Sequence, residues 1–176
     1  MRQEGTGVRR EVSSAAPSGG RTILAIDYGR ARMGLAIAEG ESRMARPLDT
    51  MERVNRNEDM RRLRELVREH GVKQVVVGLP LRLDGTRGEM AEEAERFARR
   101  VQKQVGVPVE MVDERLTSWE AERLLEETRG RFMHAEKLGS GRKKQNDAAK
   151  PSVDAVAAAV ILQEYLERQG QAAGQG

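Results

Sequence analysis

Thr22–Ala38 reads TILAIDYGRARMGLAIA, and the rest of the chain is arranged around it. Ile23, Leu24, Ala25 and Ile26 form an apolar run long enough for a buried strand. Asp27 follows at once, and Gly29 and Gly34 bracket a basic turn containing Arg30 and Arg32. Leu35–Ala38 is apolar again, as a returning hairpin partner would be. A carboxylate ending a buried strand, beside glycines that let a ligand approach the backbone, suits a metal or phosphate site. Asp also caps turns without further role, and this stretch alone leaves both readings open.

Outward from the hairpin, Ala45–Met51 reads as a third, edge-type strand, where Pro47 is tolerable. Asn57 is the expected cap of a helix carrying Met60, Leu63, Leu66 and Val67 and ending at His70-Gly71. Val75–Val77 is a short all-apolar strand of the kind covered on both faces. After the loop Arg82–Gly88, a second helix places Met90, Ala94, Phe97, Val101 and Val105 on one face, and Gly106 closes it. Val107–Val112 is the next strand, and Thr117–Glu120 has capping-box spacing for a third helix. Gly130–Lys150 is irregular and basic. Pro151 is expected to start the last helix, with Val153, Val156, Ala157, Val160, Ile161 and Tyr165 as its buried stripe. The order predicts an α/β fold: a mixed five-stranded sheet, three strands in an antiparallel meander and then two parallel ones, with helices on both faces.

The chain has 176 residues, enough for one domain with a real core. That domain is expected at residues 21–168, between polar tails at 1–20 and 169–176 that read as disordered. No apolar run approaches the ~20 residues of a membrane span. The N-terminus lacks the apolar centre of a secretory signal. Absence of cysteine excludes disulfides and thiolate metal sites and fits a reducing cytoplasm. The formal net charge of +3 permits nucleic-acid binding through a local patch without demanding it.

Acidic residues stand at element ends: Asp27 after the first strand, Asp113 and Glu114 after the last, Asp154 in the first turn of the final helix. If the last two strands run parallel to the first, these acids share the sheet edge where ligands of open α/β sheets bind. Carboxylates drawn together repel unless cations lie between them. Oxygen donors without Cys or nearby His favour Mg²⁺ or Mn²⁺. Two such ions about 4 Å apart suit phosphodiester hydrolysis. Arg142, Lys143 and Lys144 in the basic loop would then hold a polyanionic backbone. Blander roles remain open for each group. Asp154 suits a helix N-terminus anyway, Asp113 and Glu114 can pair with Arg115 at the surface, and the basic loop can be a solvated linker. His70 and His134 read as surface or helix-end residues, and Trp119 as a packing residue.

With these residues in place, the chain resembles the YqgF (RuvX-like) family of RNase H-fold nucleases. The matching blocks are Ala25-Ile-Asp-Tyr-Gly29 with Arg32-Met-Gly-Leu-Ala36, Ala45-Arg-Pro-Leu48, Val76-Val-Gly-Leu-Pro-Leu81 with Asp84-Gly85, Val112-Asp-Glu-Arg-Leu-Thr117, and Val153-Asp-Ala-Val-Ala-Ala158 with Ile161-Leu-Gln-Glu-Tyr165. The resemblance implies an RNase H-like fold and a metal-dependent nuclease trimming the 5′ end of the small-subunit ribosomal RNA precursor. It implies Asp27, Glu114 and Asp154 as catalytic metal ligands for Mg²⁺ or Mn²⁺, Asp113 as an adjacent candidate and Asp84 as a weaker one. Arg32 and Arg115, with Arg142, Lys143 and Lys144, are the expected substrate contacts. Pre-16S rRNA is the favoured partner, branched DNA the alternative, with ribosomal particles also in reach of a cytoplasmic monomer or homodimer. A non-catalytic RNA- or ribosome-binding protein is the reading from outside enzymology. A sugar-kinase or chaperone-type ATPase would need a second lobe, for which 176 residues leave no room.

Overall fold

The computed structural model describes residues 20–42, 44–82, 84–113, 126 and 151–173. Five strands occur among the described residues: β1 (Ile23–Asp27), β2 (Arg32–Ala38), β3 (Arg46–Glu52), β4 (Gln74–Leu79) and β5 (Val109–Asp113). They make one sheet in the order β3-β2-β1-β4-β5. β1–β2 and β2–β3 are antiparallel, and β1–β4 and β4–β5 are parallel. The mixed sheet expected from the sequence is therefore present, and the carboxyl ends of β1, β4 and β5 share one edge.

Among the described residues three helices cover the sheet: α1 (Arg56–Glu69), α2 (Glu89–Val105) and α3 (Val153–Ala173). The pleat sends alternate side chains to opposite faces. Leu24 and Ile26, Met33, Leu35 and Ile37, and Val75 and Val77 pack with Met60 and Leu63 of α1 and Phe97 and Val101 of α2. Ala25, Ala36, Val76 and Val112 face the other way, against Ala158, Ala159, Ile161, Leu162 and Tyr165 of α3. Burying each large side chain contributes about 1.5–3 kcal/mol, so both layers hold the sheet. The buried amide of Gln74 donates to the Tyr165 hydroxyl at 2.7 Å. Burial, more than any neighbour, pushes that phenol up to about 12.

Several boundaries differ from expectation. Asn55, not Asn57, caps α1: its extended backbone lets its carbonyl oxygen accept from the amides of Asn57 and Glu58 at 3.1 and 3.0 Å. Val153 is 67% exposed, whereas Ala155, Ala158, Ala159 and Leu162 are buried, so the stripe on α3 is broader and rotated from the expected one. That helix also continues through Ala173, past Arg168. Gln and Ala are good helix formers, and one Gly in a helix costs only about 1 kcal/mol, so Gln169–Ala173 is helix and not disordered tail. Met1–Gly19 and the helix expected from Thr117 lie outside the described residues, apart from Glu126.

Candidate active site

Asp27 ends β1 opposite Gly34 of β2. It follows Ala25 by two residues and so shares the face covered by α3. Its carboxyl is pushed up from the ordinary 3.8 to about 6, first by burial and then by the negative charge of Asp154. That second cause places the two acids, remote in sequence, in one electrostatic environment.

Gly34 is what allows the approach. A Cβ built there would lie 1.8 Å from the carbonyl oxygen of Asp154 and 2.2 Å from its carbonyl carbon. The first turn of α3 thus rests directly on the β2 backbone. The helix starts at Val153, two residues after the expected Pro151, and Ser152 caps it: its hydroxyl accepts from the Ala155 amide at 3.1 Å and its carbonyl from Val156 at 3.0 Å. The same hydroxyl hydrogen-bonds Thr50 of β3. Ser152→Ala is expected to cost about 1 kcal/mol, the usual loss for an N-cap. Urea unfolding with an unchanged slope checks it, and a shift under a few tenths would mean that the cap carries nothing.

The turn after Asp27 is fixed from two sides. Arg53 donates to the Tyr28 hydroxyl at 2.9 Å and to the Gly29 carbonyl at 3.2 Å. It also pairs with the buried carboxylate of Asp59 at 3.0 Å and lies 5.0 Å from the centre of the Tyr28 ring. Arg30 forks onto Glu93, with its closest contact at 2.7 Å, and reaches Glu89 at 3.2 Å. Sequence spacing gave no sign of Arg53, Asp59 or Arg30 as anchors, because each partner lies on a different element. Arg32, expected as a substrate contact, instead has its Nε 2.6 Å from Asp154 Oδ2.

The other described candidates, Asp113 and Asp84, do not join this pair. Asp113 is at the same edge but follows Met111, which packs on the α1–α2 side, so the pleat sends it to the opposite face from Asp27. Asp84 is bound within its own turn, accepting from the amide and hydroxyl of Thr86 at 2.9 and 2.6 Å, which holds its carboxyl below the ordinary value. His70 caps the C-terminus of α1, as expected of a helix-end residue. Glu114, Arg115, Trp119, His134, Arg142, Lys143 and Lys144 lie outside the described residues. No group of three or more metal-ligating side chains occurs among the described residues. Asp27 and Asp154 offer hard carboxylate oxygens whose mutual repulsion a divalent cation would relieve, so their chemistry fits a hard divalent ion. Between Asp27 and Val112, on their shared face, β4 presents Gly78 and no side chain.

Residues 21–168 match the RuvX family, described as Holliday junction resolvase. A protein of Anaeromyxobacter sp. (strain K) named "Putative pre-16S rRNA nuclease" is 43% identical over 146 residues, 83% of this chain and 96% of its own length. A Koribacter versatilis protein of the same name is 38% identical over 148 residues, 84% of this chain and 88% of its own. Thermus thermophilus RuvC superposes over 85% of this chain and 96% of its own with a TM-score of 0.51 and 18% identity, a likeness of fold.

Proposed function

Because the chain belongs to the RuvX family, we propose that it is a metal-dependent nuclease that processes the 5′ end of pre-16S rRNA in ribosome maturation. The relatives named for that substrate cover most of both chains, which favours RNA over branched DNA. One observation carries the mechanism: the backbone of Asp154 rests on Gly34, the strand partner of Asp27, so both acids stand at the carboxyl edge of the sheet.

Asp27 and Asp154 would hold Mg²⁺ or Mn²⁺, with Glu114 as third ligand. Glu114 directly follows Asp113, the last residue of β5, in the sequence block shared with the family. A bound divalent ion supplies an activated water and stabilises the departing oxygen. The protein's own part is placement. Partial burial reduces the solvation of Asp27, and Arg53 and Arg30 hold its turn. Gly34 sets the distance of Asp154, and Gly78 leaves the floor between the strands open. Arg32, Arg115, Arg142, Lys143 and Lys144 are the cations for the phosphate backbone. The reading implies a cytoplasmic protein acting on ribosomal particles, as a monomer or homodimer.

The test sets a precursor rRNA bearing its 5′ leader beside a four-way DNA junction, each with Mg²⁺ or Mn²⁺. Leader removal is the expected result. Cleavage of the junction alone would move the substrate to branched DNA. RNA binding without cleavage under every ion would make this a binding protein.

A further inference from the structure

Arg32 opens β2 with its side chain 63% exposed. Its cross-strand neighbour on β3 is Glu52, yet no ion pair joins the two. The guanidinium turns instead to Asp154, placing Nε 2.6 Å from Oδ2. Only that one nitrogen is engaged among the described residues, so the outer fork of the guanidinium has no partner there. Arg30 and Arg53, which flank the same turn, are each held by two or more groups. Arg32 is thus held by a single contact, and Asp154 is an acid that a divalent ion would also claim.

We propose that Arg32 is a placeholder cation for Asp154, displaced when a divalent ion loads and released to a phosphate oxygen of the nucleic acid. This rests on the metal reading above. Two physical points support it. One carboxylate oxygen cannot hold a guanidinium nitrogen at 2.6 Å and a divalent ion together without placing like charges side by side. The exchange is also easy, since an ion pair this exposed belongs to the weak end of such pairs. Once free, the planar fork suits a phosphate, which it can grip with two parallel hydrogen bonds. Metal loading and backbone binding are then linked through one side chain, so the full grip on nucleic acid forms only when the site is loaded.

The test uses the full chain as parent, Arg32→Gln, Arg32→Lys and Asp154→Asn. Free Mn²⁺ is followed by electron paramagnetic resonance without nucleic acid. Arg32→Gln is expected to bind Mn²⁺ roughly threefold more tightly than the parent, because the competing charge is gone. Arg32→Lys, which keeps the charge, should stay near the parent and guards against misfolding of the Gln variant. Weaker binding by Arg32→Gln would mean that Arg32 only fixes Asp154 in place, which overturns the exchange. The second readout is affinity for an uncleavable phosphorothioate RNA against salt, with and without Ca²⁺. With Ca²⁺ the slope for Arg32→Gln should be shallower than the parent's by about 0.7, the share of one phosphate contact on a single strand. Without Ca²⁺ the slopes should coincide. Equal slopes with Ca²⁺ would overturn the release to phosphate. If Asp154→Asn leaves Mn²⁺ affinity unchanged, the metal reading itself fails and takes this one with it.

Discussion

Asp27→Asn is expected to abolish cleavage while making the metal-free protein more stable at neutral pH. The two effects have one origin. Folding buries the Asp27 carboxyl beside Asp154 and raises it from 3.8 to about 6. The native state therefore holds that proton more tightly than the unfolded chain does. Its contribution to stability falls as pH rises from about 4 to 6, and the penalty is complete at pH 7. A shift of about two units corresponds to up to about 3 kcal/mol, relieved by a divalent ion or by a side chain that cannot ionise. Asparagine retains the shape and loses the charge. Its melting temperature at pH 7 should exceed the parent's by several degrees, and the gap should close by pH 4. Cleavage should drop on the order of 10³-fold, since loss of an anionic ligand removes several kcal/mol of transition-state stabilisation. Parental turnover in the variant would remove Asp27 from the mechanism. An unchanged melting temperature at pH 7 would mean that the two acids do not strain the metal-free fold.

Sheet order and acid placement were legible in the sequence for different reasons. The run Ile23–Ile26 and the valines 75–77 are short, apolar and fully or almost fully buried, the pattern of strands covered on both faces. Asp27 and Asp154 stand at element ends, so topology alone gathers them. The side of the sheet on which an acid lies is a matter of parity, and for Asp113 it shows only once the pleat of β5 is in hand. The role of Arg32 was half legible: its charge and its place by the turn suggested phosphate, but Asp154 as its partner depends on how α3 lands. Caps misled by small offsets. Asn55 stands near Asn57, which looks equally able to cap, and only backbone conformation separates them, while Pro151 suggested a start two residues early. The Arg53–Asp59–Tyr28 network joins three elements and has no periodic trace at all.

Gly34→Ala should be the most damaging single methyl in the described part of the fold. The added carbon would sit 1.8 Å from a backbone oxygen of α3, where ordinary contacts begin near 3.4 Å. The obstacle is helical backbone and cannot swing aside as a side chain can. Either α3 lifts from the sheet or β2 bends, and both separate Asp154 from Asp27. Lifting also opens a gap under Ala155, Ala158 and Ala159, whose small size brought the helix so close. Overpacking of this kind costs about 1–3 kcal/mol where side chains can yield, so at least about 3 kcal/mol is expected here, with cleavage and Mn²⁺ binding lost together. Gly40→Ala is the control: Gly40 has φ of 63° and nothing within 4 Å of its added carbon. That variant should lose only the cost of a left-handed backbone, about 1–2 kcal/mol, and keep its metal. If Gly34→Ala unfolds in urea within about 1 kcal/mol of the parent, the helix does not rest on the strand at this point. The approach of Asp154 to Asp27 would then need another cause.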